Sequence, residues 1–208
     1  MLPFLFLLVM SGDDAAKSIL EATATDKYIF EVETRNSKVD GRFRQGSPLS
    51  VRADGIEFFR QGQRLVYLQD GKWQRTRTGT LSDPLRILGP TAKVQSVRVP
   101  HEELAQLSKS LKNAKKSGDL GTFILSGEFG EAEARELARS EDREVARGGI
   151  VSVRIENGKV VKYQFAITLK GRRGNADVDG IAETTVTIRY PVGVSYEVPV
   201  EVMKTLKD

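Results

Sequence analysis

The 208-residue sequence contains no cysteine, one histidine and one tryptophan. Without cysteine there are no disulfides, no thiolate metal ligands, no thiol nucleophile and no lipid-modified N-terminal cysteine. With His101 as the sole imidazole, a Ser-His-Asp arrangement has one candidate base, and no Gly-x-Ser-x-Gly elbow accompanies it. His101 follows Pro100 in what reads as the first turn of a helix, where the dipole disfavours an imidazolium, so it is read as a surface or capping residue. Long apolar runs are missing too. The longest, Met1–Met10, falls well short of the roughly 20 residues a membrane-spanning helix needs. Charge is nearly balanced, with 32 Lys and Arg against 28 Asp and Glu and a net charge of +4. The basic residues are spread through the chain, so nucleic acid is not an expected partner.

Other candidate sites dissolve on inspection. Asn175, Asp177, Asp179 and Gly180 match positions 1, 3, 5 and 6 of a calcium loop, but position 12 is Val186 rather than Glu. They read as a polar hairpin turn. Glu31 and Glu33 lie two apart on a predicted strand and point to its solvated side. Gly171-Arg172-Arg173-Gly174 sits in a hairpin rather than at a helix N-terminus, which favours a basic turn over a phosphate site. No catalytic residue, metal site or cofactor is expected.

What the sequence does have is strand periodicity. Val151, Val153 and Ile155 alternate with polar residues; Asn157-Gly158 supplies a type I′ hairpin turn. Val161, Tyr163, Phe165, Ile167 and Leu169 then alternate with Lys162, Gln164, Ala166, Thr168 and Lys170. An earlier meander is predicted over 28–76. Tyr28, Phe30 and Val32 open it, and Asp40-Gly41, Gln45-Gly46, Asp54-Gly55, Gln61-Gly62 and Asp70-Gly71 are read as its turns. The aromatic residues lie mostly on these strands, where core packing is their ordinary role.

Helices are predicted between and before the meanders. Asp13–Thr25 is amphipathic, with Asp13 or Asp14 as cap and Ala16, Ile19, Leu20 and Ala24 as its apolar stripe. Ser82-Asp83-Pro84 starts a short capped turn carrying Leu85 and Leu88. A helix from Pro100 places Leu104, Leu107 and Leu111 on one face and ends in Lys109, Lys112, Lys115 and Lys116. Leu120–Ser126 reads as a strand and Glu131–Val145 as a charged helix. Helix, meander, helices, meander is an α+β order, and it excludes strict βαβ alternation. The composition, 39% hydrophobic and 29% charged, suits one globular domain over residues 13–208. Residues 1–12 resemble the apolar region and end of a secretory signal peptide, with Val9 and Ser11 at −3 and −1. No Lys or Arg precedes that run, so the natural start is expected upstream.

Several segments together resemble the bacterial lipoprotein-carrier superfamily, the LolA/LppX-like fold. They are Gly41-Arg42-Phe43-Arg44 through Pro48-Leu49, Asp70-Gly71-Lys72-Trp73, Asp83–Leu88, Val151–Phe165 and the closing Tyr196-Glu197-Val198-Pro199. The likeness covers nearly all of residues 14–205 as an order of elements. It implies a strongly curved antiparallel half-barrel whose concave apolar face is covered by helices. It also implies an exported, periplasmic or cell-envelope carrier, non-enzymatic and monomeric, that holds a lipid or the acyl chain of a lipoprotein. On that reading Phe30, Val32, Phe43, Val51, Phe58, Tyr163, Phe165 and Ile167 form the wall, and Leu85, Leu88, Leu104, Leu107 and Leu111 the lid. The alternative is an envelope structural or protein-interaction domain with the same fold and a filled core.

Overall fold

The structure is a computed structural model that describes residues 7–23, 25–77, 94, 97–119, 121–138, 142–193 and 195–207. The chain begins with β1 (Leu7–Val9) and α1 (Gly12–Thr23), followed by β2 (Lys27–Thr34), β3 (Ser37–Arg44), β4 (Leu49–Ala53), β5 (Ile56–Gln61), β6 (Arg64–Gln69) and β7 (Lys72–Arg77). Then come α2 (Pro100–Ser108), β8 (Lys112–Gly118), β9 (Thr122–Phe129), α3 (Glu131–Leu137) and β10 (Ala146–Glu156). The chain closes with β11 (Lys159–Arg173), β12 (Ala176–Arg189) and α4 (Val200–Lys207). The pairing described below is antiparallel, as the α+β reading expects. Among the described residues no helix is long and apolar enough to cross a membrane.

The elements divide into two compact units, Met1–Ala24 with Arg98–Thr187, and Thr25–Val97 with Ile188–Asp208. In the first unit the strands run in the order β1-β8-β9-β10-β11-β12. Asn157 and Gly158 join β10 to β11 with φ of 49° and 73°, both left-handed, as a type I′ turn requires. Register partners share a face, so Leu125, Val153, Tyr163 and Val186 form one cross-strand row, each 2% exposed or less. Helix α1 packs on α2, β8 and β11, and α3 packs on β10.

In the second unit β2 to β7 form a meander in sequence order. Asp54-Gly55 and Asp70-Gly71 have positive φ at both residues, and Gly46 and Gly62 are also left-handed, so these four predicted turns are present. Asp40-Gly41 is not a turn. Gly41 lies inside β3, paired with Phe30 on one side and Val51 on the other, at an ordinary extended φ. Both faces of this meander are buried at β5, where Phe58 is 1% and Phe59 2% exposed. On the Phe59 side α4 supplies Val202 and Leu206, which pack with Phe59 and Val66 and with part-buried Trp73 and Val198.

Several local expectations are corrected. The helix from Pro100 stops at Ser108, and the lysine-bearing segment expected to end it is strand β8, paired with β1 and β9. Leu111 therefore follows the helix instead of riding on it. The charged helix ends at Leu137 rather than Val145, and the predicted 120–126 strand runs from Thr122 to Phe129. Helix α1 is capped by Ser11, whose Oγ accepts the Asp14 N–H at 3.1 Å and donates to the Asp14 carboxylate at 2.7 Å. Its buried stripe is Ala15, Ile19, Ala22 and Thr23, while Leu20 is exposed. The apolar N-terminal run supplies β1, in which Leu8 and Val9 are exposed.

Candidate functional site

The candidate site in the first unit is the Tyr163 face of the sheet and what packs on it. Alternation on β11 sends Tyr163, Phe165 and Ile167 to this face, where they are 1%, 5% and 2% exposed. Leu104 and Leu107, three apart on α2, share a helix face and are fully buried. A hydrogen bond ties helix to sheet: the Tyr163 hydroxyl donates to the Glu103 carboxylate at 2.6 Å. Leu111 is brought to the same face by a different route. Its Cδ2 fills the space over Gly127, where an added Cβ would come within 2.8 Å of it. Gly127 is the register partner of Val151, itself the partner of Phe165.

Glu103 is the one buried residue among the described Asp, Glu, Lys, Arg and His side chains. Burial pushes its carboxyl above the usual range, and the Tyr163 hydrogen bond and the positive charge of Arg98 pull it back only in part. Arg98 itself donates to the Glu136 carbonyl. The ionisable side chains of α1 (Asp13, Asp14, Lys17 and Glu21) are all exposed. Sequence reasoning did not single out Glu103. The available signal was a carboxylate next to Leu104 on the leucine-bearing part of a helix. His101, half-buried at the start of α2, is held below its ordinary value by burial, consistent with a neutral imidazole.

The remaining wall residues belong to the second unit. Phe30, Gly41, Val51, Phe58 and Tyr67 form a row across five strands on the face opposite α4. Phe30, Val51 and Phe58 are 3%, 0% and 1% exposed, whereas Val32 and Phe43 are half-buried. Phe43 stacks on Tyr28 with ring centroids 4.9 Å apart. Near this row Arg60 donates to the carbonyls of Val97 (2.6 Å) and Val94 (3.4 Å). Leu85 and Leu88 lie outside the described residues.

An open groove of about 440 Å³ in the first unit has a different lining. Lys115, Ser126, Ser152, Gln164 and Thr185 line it and form one register row on the side of the sheet opposite Tyr163. Of the eleven expected wall and lid residues that are described, only Phe165 borders it. Asp177 and Asp179, from the calcium-like pattern, lie on β12, where Asp177 pairs with Arg172 at 3.5 Å. No group of three or more metal-ligating side chains occurs among the described residues.

No protein-family model matches the chain, and no curated protein sequence matches it. Solved structures do. The lipoprotein LppX of Mycobacterium tuberculosis is 17% identical, with a TM-score of 0.50 over 89% of this chain and 100% of that one. LprF of Mycobacterium bovis is 10% identical, with a TM-score of 0.47 over 91% of this chain and 99% of its own. A LolA superfamily protein of Nitrosomonas europaea is 9% identical, with a TM-score of 0.32 over 87% and 92%. The LppX likeness, spanning both chains almost end to end, carries the assignment: this chain has the LolA/LppX-like fold.

Proposed function

We propose that this chain is a non-enzymatic carrier of the cell envelope that shelters an acyl chain of a lipid or lipoprotein. The observation that carries this reading is the likeness in fold to LppX, named as a lipoprotein, over nearly the whole of both chains. The first unit supports it with an apolar sheet face bearing Tyr163, Phe165 and Ile167, against which Leu104, Leu107 and Leu111 are set. Such a face needs no reaction chemistry to bind. Each acyl methylene moved out of water stabilises a complex by about 0.8 kcal/mol, so part of a chain suffices for useful affinity. In the second unit Phe30, Val32, Phe43, Val51 and Phe58 are proposed as wall residues in their own right. The carrier works as a monomer and is exported.

Gentle purification followed by native mass spectrometry tests the reading, with titration of a polarity-sensitive fluorescent fatty acid beside it. A lipid adduct, or saturable probe binding weakened by Phe165→Asp, is the expected result. A uniformly unliganded protein that ignores the probe sinks it.

A second reading is an interaction domain with a filled core. It is favoured by the closeness of packing: Tyr163, Leu104 and Leu107 are at most 1% exposed. Under that reading the same titration is flat while the protein remains fully folded.

A further inference from the structure

A buried carboxyl is an expensive way to pack a helix on an apolar sheet. Apolar residues in place of both the carboxyl and its phenol partner would do so at lower cost, whereas removing one of the two leaves the other short of a partner. Here Glu103 meets Tyr163 inside a row otherwise made of Leu125, Val153 and Val186. The helix that carries it is short. Its nine residues begin at Pro100, the preceding Val99 offers no side-chain cap, and Glu103 stands within its first turns. Directed polar contacts at this end of the helix include Tyr163 to Glu103, which joins helix to sheet, and Arg98 to the Glu136 carbonyl. Apolar contacts are non-directional and tolerate sliding, whereas a buried hydrogen bond is either made or broken.

We propose that Glu103 and Tyr163 are a latch that sets how often α2 lifts from the Tyr163–Phe165–Ile167 face. Its use as a gate for ligand rests on the carrier reading; the latch itself does not. Closed, it gives the helix one register on the sheet. Open, it must expose a carboxyl and a phenol to water together, so the two groups separate as a unit and α2 moves with them. The gate controls the rate of ligand entry more than final occupancy, because the apolar face is the same once uncovered.

The test uses the full chain and two measurements, hydrogen exchange by mass spectrometry without ligand and stopped-flow uptake of the fluorescent fatty acid. Tyr163→Phe keeps the ring and removes the donor. Its α2 amides are expected to exchange about ten-fold faster, the loss of one buried hydrogen bond, while β10 and α3 stay within about two-fold of wild type. Glu103→Gln retains an acceptor carbonyl and is expected to stay near wild type. Should Tyr163→Phe fail to fold, Glu103→Leu takes its place, with the same rise confined to α2. Probe uptake is expected to accelerate in the variant whose helix opens. Unchanged α2 exchange, or a rise spread evenly over all elements, overturns the latch. Faster α2 exchange with equal uptake rates in all proteins overturns its role as a gate. Faster α2 exchange with no uptake by any protein supports the latch and removes the carrier reading instead.

Discussion

Phe30 lies across the backbone of its register partner Gly41, with its ring occupying the space where a side chain at 41 would begin. Phe129 stands in the same relation to Gly149 in the other unit, again as direct partners on neighbouring strands. In each case a glycine without special backbone angles is needed for space alone, and the aromatic ring covers a strand that would otherwise lack packing.

Gly41→Ala is therefore expected to destabilise strongly although Ala is the better strand former. The added methyl drives into the Phe30 ring between two buried neighbours, an overpacking cost of about 1–3 kcal/mol. Urea denaturation measures it. The double variant Gly41→Ala with Phe30→Leu should recover part of the loss, and no recovery would place the cause elsewhere.

The C-terminal helix is part of the second unit's core. Leu206→Ala empties a site shared by Phe59, Val66 and Val202 and is expected to cost about 2–5 kcal/mol. Val200→Ala, at an exposed position on the same helix, should stay within about 0.5 kcal/mol of wild type. Equal effects at the two positions in chemical denaturation would mean that α4 is not docked through this face.

Stability should depend on pH through Glu103. Burial raises its carboxyl above the ordinary 4.5 in the folded chain, so the folded state holds that proton more tightly than the unfolded one. This contribution is complete below about 4.5 and is lost as pH rises through the folded value. Thermal melts of Glu103→Gln against wild type isolate it: the difference should move in favour of the variant as pH is raised from 4.5. A difference constant with pH would mean that Glu103 is ionised in the folded protein.

Tyr196 offers a spectroscopic handle on the segment before α4. Its hydroxyl donates to the Pro48 carbonyl, Arg44 donates to the Tyr196 carbonyl, and burial pushes the Tyr196 phenol up to about 12. Tyr190 is raised to about 12 in the same way. Absorbance titration near 295 nm should show phenols ionising well above 10, with one fewer such phenol in Tyr196→Phe. The linked stability is present below 10 and is lost as pH rises through about 12. If Tyr196→Phe leaves the curve unchanged in amplitude above pH 10, the segment is not held as described.

Local chemistry was legible wherever a few neighbouring residues decide the backbone. Asn157-Gly158, Asp54-Gly55 and Asp70-Gly71 announce turns because Asn, Asp and Gly tolerate left-handed φ, and all three are turns. From Tyr163 to Lys170 the expected alternation separates the buried residues of β11 from the more exposed ones, whereas at its start Val160 rather than Val161 is buried, where the register with β10 shifts. Asp40-Gly41 carries the same letters and is no turn, because a ring eleven residues earlier in the chain needs the missing side chain more than the backbone needs a bend.

The lysine-rich stretch shows the same limit. Leu104, Leu107 and Leu111 are spaced for one helix face, yet the chain leaves the helix at Ser108 and continues as a strand between β1 and β9. Pairing with strands on both sides outweighs helix propensities of a few tenths of a kcal/mol per residue, roughly. Leu111 is then placed on the sheet by the gap at Gly127 rather than by helical periodicity.

By itself the sequence determined the class of the protein. Two runs of period-two alternation, each cut by Gly-bearing turns, with amphipathic helices between them, specify antiparallel sheets and segregated helices, because side-chain direction in a strand follows from backbone geometry alone. Only the tertiary structure decided which face each helix covers, that β5 is buried on both sides, and that Glu103 meets Tyr163 across sixty residues of chain. Those outcomes depend on volumes and partners contributed by distant segments, and no local pattern of residues encodes them.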